Sequence, residues 1–171
     1  IYPLGPLQEG FLFYSMYQQD EDPYITQYLL KAADKNSVDN LLAALRHIMQ
    51  RHDVMRTAII WQGLATPVQV VCRQAELLVD YVDIGIPERL TDFDEEHYVT
   101  CLKSHALPRM DLRIAPLIRI YVGQAVGLEA YYLLIQQHHL ISDHVAGEIM
   151  MDEIFAHLQG RADQLPAPRQ Y

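Results

Sequence analysis

The chain has 171 residues, enough for one domain with a sizeable core, and 22 acidic against 13 basic side chains give a formal net charge of −9. That balance, with no dense Lys/Arg stripe, excludes a phosphate backbone as the main partner and disfavours an anionic membrane surface. The composition, 50% hydrophobic and 20% charged, is that of a globular domain, and no apolar run approaches the roughly 18 residues of a membrane span.

Cys72 and Cys101 are far apart and form no CxxC pair, so free thiols in a reducing cytoplasm are expected. No basic segment followed by an apolar one marks a signal peptide. The chain opens with "IYPLGPLQEG" instead of methionine and reads as a piece of a longer polypeptide.

Pro3, Gly5 and Pro6 punctuate an opening loop. A helix should follow, with Leu7, Phe11, Leu12 and Tyr14 or Ser15 at helical spacing. "DPYITQYLLKA" (22–32) reads as a strand. The clearest helix is "KNSVDNLLAALRHIMQRHD", where Val38, Leu41, Leu42, Leu45, Ile48 and Met49 form one apolar stripe and Asn36 or Ser37 can cap the start. Two β-branched runs then flank Gly63 and Pro67, the pattern of a hairpin. "LLVDYVDI" (77–84) reads as a short strand, and the polar stretch 87–107 as helical in its second half.

"APLIRIYVG" and "AYYLLIQQHH" suit adjacent strands buried on both faces. "HVAGEIMMDEIFAHLQG" places Val145, Ile149, Met150, Ile154, Phe155 and Leu158 on one helical face, with Gly160 as the stop. The tail "LPAPRQY" reads as a linker, so residues 1–165 are expected to form the folded unit and 166–171 to leave it. The expected class is α/β (α+β): a mixed sheet with helices packed on it.

The chemistry is concentrated in "QQHHLISDHVAGE" (136–148), at a strand–loop–helix junction. Side chains alternate along a strand, so His138 and His139 should point opposite ways, one inward toward a hydrogen-bond partner. Asp143, just ahead of a helix, can stabilise that helix's N-terminus. A metal site using His139, Asp143 and His144 lacks a cysteine or a further ligand at a familiar spacing, so no metal is expected. No GxSxG nucleophile elbow and no glycine-rich phosphate loop occurs.

"HHLISDH" resembles the HHxxxDG motif of nonribosomal peptide synthetase condensation domains, shared with chloramphenicol acetyltransferase-like enzymes. "YPLGPLQEGFLF" (2–13), "RHDVMRTAI" (51–59) and "MDLRIAPLIRIYV" (110–122) resemble further stretches of the same family, in family order and over most of the chain. The resemblance implies the N-terminal lobe of a V-shaped pair of acetyltransferase-like lobes. Donor and acceptor carrier proteins would deliver thioester-bound acyl groups on phosphopantetheine arms, and no cofactor would bind the domain directly. The C-terminal lobe and neighbouring synthetase domains would be further partners, and the half-domain alone is expected to be inactive.

By motif, the resemblance makes His139 the catalytic residue, either as base or by positioning the amine. It makes His138 and Asp143 structural, and pairs Asp143 with Arg56 of "MRT" to lock the loop. His144 stands where the family motif has glycine, whose freedom at positive φ histidine lacks. This departure sets against an active, divergent condensation domain the alternative of a degenerate scaffold that docks carrier proteins or tailoring enzymes; a free-standing coenzyme A-dependent acyltransferase, which shares the histidine motif, is a second alternative.

Overall fold

The structure, a computed structural model, is described for residues 1–18, 20–83, 95–125 and 130–168. Its elements follow in chain order: β1 (Tyr2–Pro3), α1 (Pro6–Tyr17), β2 (Ile25–Ala32), α2 (Lys35–Arg51), β3 (Thr57–Ile60), β4 (Val68–Val71), β5 (Leu78–Val82), α3 (Glu95–Ser104), β6 (Ile118–Ala125), β7 (Ala130–His138) and α4 (His144–Leu158). A 3₁₀ turn, Asp53–Arg56, joins α2 to β3.

The strands divide between two sheets. One has the order β2–β7–β6–β5, with β7 antiparallel to both neighbours and β5 parallel to β6. The other is the small antiparallel set β1–β4–β3. The mixed α/β class expected from the sequence holds, but the single sheet becomes two. β1 is only two residues long, too short for any periodicity to announce it.

Alternation along β6 and β7 explains their unbroken apolar runs. Ile118, Ile120, Val122, Leu133 and Ile135 face the main core with α2 and α4, while Tyr121, Tyr132 and Leu134 face α3 through Tyr98 and Leu102. The α2 stripe lies where its spacing placed it, with Val38, Leu45, Ile48 and Met49 almost fully buried. Burial of each such side chain is worth about 1.5–3 kcal/mol relative to exposure. Asp34 caps α2, accepting from the Ser37 N–H at 2.7 Å, so the cap precedes the expected Asn36 or Ser37. The hairpin between β3 and β4 turns at Gly63, whose φ of 75° is costly for any residue with a Cβ.

The first half of the stretch 87–107, Ile84 and the link between β6 and β7 lie partly or wholly outside the described residues; α3 occupies the second half of that stretch. Both cysteines are free thiols.

The reading of α4 needs correction. Met150 and Ile154 are buried, but Val145, Ile149, Phe155 and Leu158 are between 43% and 60% exposed. The helix is apolar on two sides. Gly147, Met150 and Ile154 share the inward side, whereas the sequence pattern merged both sides into one stripe. Among the described residues no helix is long and apolar enough to cross a membrane.

Candidate functional site

β7 ends at His138, and His139 is the first residue of the turn that follows. The two histidines therefore differ in kind as well as direction. His138 has no solvent exposure, and its ring is held at both nitrogens. The Leu140 N–H donates to Nδ1 at 3.0 Å, so Nδ1 is unprotonated and Nε2 carries the hydrogen. That Nε2–H faces Asp22 Oδ2 at 3.2 Å and Ser15 Oγ at 3.3 Å.

Asp22 is itself buried and fully engaged. Its Oδ1 accepts from the Ser15 hydroxyl at 3.1 Å and from the Tyr24 N–H at 3.0 Å. Burial pushes the Asp22 carboxyl up, but the hydrogen bonds from His138, Tyr24 and Ser15 together outweigh it and hold the group below the usual carboxylate range.

His139 is half-buried. Its backbone N–H donates to the Tyr24 carbonyl at 2.9 Å, and its ring lies 5.9 Å from that of Phe11. Ring Nδ1 lies 3.0 Å from the Ser142 carbonyl oxygen, which can only accept, so Nδ1 carries the hydrogen. In the neutral ring the lone pair is then on Nε2. The imidazole is fixed in the tautomer that presents a proton acceptor at its far end.

The turn is tied down throughout. The Ile141 N–H donates to the His138 carbonyl at 3.1 Å, and the Gln8 amide of α1 donates to the Leu140 carbonyl at 3.0 Å. Asp143 ends the turn and caps α4, its Oδ1 accepting from the Ala146 N–H at 2.8 Å. This is the helix-terminal position that the sequence suggested, with the side chain exposed.

The expected Arg56–Asp143 pair is absent among the described ion pairs. The Arg56 guanidinium donates to Asp53 Oδ1 at 2.7 Å and to the carbonyls of Met49 (3.0 Å), Gln50 (3.4 Å), Cys72 (2.6 Å) and Arg73 (3.1 Å). Met49 and Gln50 lie in the last turn of α2, where carbonyls lack helical partners. Arg56 is thus a buried cap tying the end of α2 to the end of β4. Asp53, three residues earlier, satisfies its charge locally.

His144 begins α4, in helical backbone that any L residue adopts. Its side chain is 88% exposed, with Nε2 3.3 Å from Glu148 Oε1. His139, Asp143 and His144 do not converge on an ion, and no other group of three such side chains does so among the described residues. A cavity of about 530 Å³ is lined by residues of α2 and α4, with Ile141 and Ser142 also in its wall. His139 is not among its walls, so it marks no substrate position at that imidazole. Pro166, Ala167 and Pro168 of the tail also line this cavity, and Arg51 donates to the Pro166 carbonyl.

As site residues, Ser15, Asp22 and Gln8 escaped the sequence reading. "DEDPY" does carry a local sign, an aspartate before proline whose carboxylate bonds the backbone two residues on. Nothing in the sequence says that its second oxygen meets a histidine 116 positions later.

Comparison with known proteins identifies a family and a fold for the chain. The family model described as "Condensation domain" matches residues 1–171. The chain is 38% identical over its whole length to malpibaldin synthetase and 39% identical to malpinin synthetase, both from Mortierella alpina. It spans only 3% and 2% of those two proteins. In fold it resembles the epimerization domain from the third module of tyrocidine synthetase B, with a TM-score of 0.76 and 19% identity over 99% of this chain and 38% of that one.

Proposed function

The chain belongs to the condensation-domain family, and from that premise we propose that it is the N-terminal half of a catalytically active amide-forming site in a nonribosomal peptide synthetase. The proposed reaction joins a donor acyl thioester to an acceptor amine, each held on the phosphopantetheine arm of a carrier protein. The observation that carries the proposal is the tautomer of His139: Nδ1–H is on the Ser142 carbonyl, and among the described hydrogen bonds none engages Nε2.

In the proposed step the amine nitrogen attacks the thioester carbonyl, the new C–N bond forms, and the C–S bond breaks. His139 Nε2 accepts the amine proton, or holds the amine by the same hydrogen bond as charge develops, and the proton ends on the departing thiolate. A positioned acid–base group of this kind is worth about 10²–10⁴ in rate. His138, Ser15 and Asp22 touch no substrate in this scheme. They hold the strand end from which His139 projects.

His144 supports the catalytic reading over a degenerate scaffold. Its ring projects outward from a helical position and partners Glu148, so the exchanged glycine leaves the His139 hydrogen bonds in place. The similarity to synthetases many times longer than this chain supports a place within a synthetase over a free-standing coenzyme A-dependent enzyme. The test is amide formation by the intact parent protein with both carrier proteins loaded, comparing wild type, His139→Ala and His144→Gly after folding is verified for each. Product from wild type and from His144→Gly, but not from His139→Ala, is the expected outcome.

A further inference from the structure

We infer that Gln8, in the first turn of α1, is a positioning residue for His139, acting through the Leu140 carbonyl; this rests on the reading of His139 given above. Leu140 is held from both sides. Its N–H donates to His138 Nδ1 at 3.0 Å, and its carbonyl accepts from Gln8 Nε2 at 3.0 Å. The carbonyl belongs to the Leu140–Ile141 peptide group, which lies between His139 and Ser142, whose carbonyl fixes the tautomer of His139. Moving it shifts one end of the Nδ1–H···O bond against the other.

The Gln8 amide is itself immobilised. Its Oε1 accepts from the Gly5 N–H at 2.9 Å, and its Nε2 lies 3.3 Å from Gln69 Oε1. Gln69, buried on β4, in turn donates to the Pro3 carbonyl at 2.9 Å. A chain of amides therefore runs from the small sheet, through the start of α1, to the residue after His139. Gln8 contributes the only group in this chain that reaches the turn among the described hydrogen bonds. A side chain held at both ends in this way delivers its donor at a fixed place, which a flexible surface amide does not.

Three variants in the intact synthetase separate positioning from general support. Gln8→Met keeps the length and removes the donor. Gln69→Met breaks the same amide chain without touching the turn. Gln8→Glu keeps an oxygen for the Gly5 N–H but presents a carboxylate to the Leu140 carbonyl, and only protonation restores a donor. With wild type active and His139→Ala silent, Gln8→Met is expected to lower the single-turnover rate about tenfold at unchanged acceptor KM, as loss of one well-placed hydrogen bond does. Gln69→Met should slow the step less than Gln8→Met does, since the Gly5 N–H still holds Gln8 Oε1 and the donor to Leu140 remains. The rate of Gln8→Glu, expressed as a ratio to wild type, should rise as the pH falls.

Folded Gln8→Met at the wild-type rate, or Gln69→Met slowed equally, would overturn the inference while leaving His139 in its role. If Gln8→Met does not fold, the pH dependence of the Gln8→Glu ratio decides, and a flat ratio counts against the inference. An active His139→Ala would instead overturn the reading beneath it.

Discussion

Asp22 and His138 meet 3.2 Å apart in the core, the carboxylate facing Nε2 while the opposite ring nitrogen accepts a backbone N–H from the turn that follows β7. The pair links the segment before β2 to the end of β7, and so sets where His139 emerges. His139 donates its own N–H to Tyr24, two residues beyond Asp22, which makes the arrangement a closed loop of contacts.

The Asp22 carboxyl is held low in the folded state, so its contribution to stability has a defined sign with pH. It is fully present above the ordinary aspartate range and is lost as the pH falls through the lowered native value. Asp22→Ala should remove about 1.5–3 kcal/mol at neutral pH, the worth of hydrogen bonds to a charged group, and should flatten the acid limb of stability. Denaturant unfolding between neutral and acid pH checks both points. An unchanged acid limb in the variant would show that other carboxylates set it.

Arg56 serves the end of α2 and Asp53, not Asp143. A double-mutant cycle on Arg56 and Asp53 should give a coupling of about 1 kcal/mol, and one on Arg56 and Asp143 a coupling near zero. Arg56→Lys should itself cost about 3 kcal/mol, since an ammonium cannot reach carbonyls on two sides as the guanidinium fork does. Loss of product in that variant should track loss of folded protein.

Asp143 caps α4 through its side chain, so Asp143→Ala should cost about 1 kcal/mol and Asp143→Ser should recover most of it. Thermal unfolding of the two variants distinguishes this from a buried-charge role, in which serine would restore nothing.

His144→Gly should be nearly silent in rate. The residue starts a helix with its ring in solvent, and glycine there costs at most about 1 kcal/mol of helix stability. A rate gain of tenfold or more in the variant would mean that the imidazole obstructs the substrate.

Much of the fold is legible from local pattern. The α2 stripe, the turn at Gly63 and the apolar runs of β6 and β7 each follow from spacing or from one residue's backbone preference. Other features depend on contacts between distant segments. β1 exists because Tyr2 and Pro3 pair with β4, and two residues carry no period of their own. In α4, hydrophobicity alone did not say which of two apolar sides is buried.

At the site, the sequence and its resemblance singled out His138, His139 and the helix-capping aspartate, because these lie within one short motif. The partners of His138 are not contiguous, and Arg56 had a nearer carboxylate in Asp53 than the one assigned to it. A residue type marks chemical capacity, but which partner satisfies it is decided by three-dimensional proximity.

The most direct measurement is single-turnover amide formation by the intact synthetase, with both carrier proteins loaded, for wild type and for His139→Ala shown to be folded. A fall of at least about 100-fold with carrier-protein binding intact is the predicted result. Product formed by the folded variant at the wild-type rate would contradict the assignment of His139 Nε2 as the group that handles the amine.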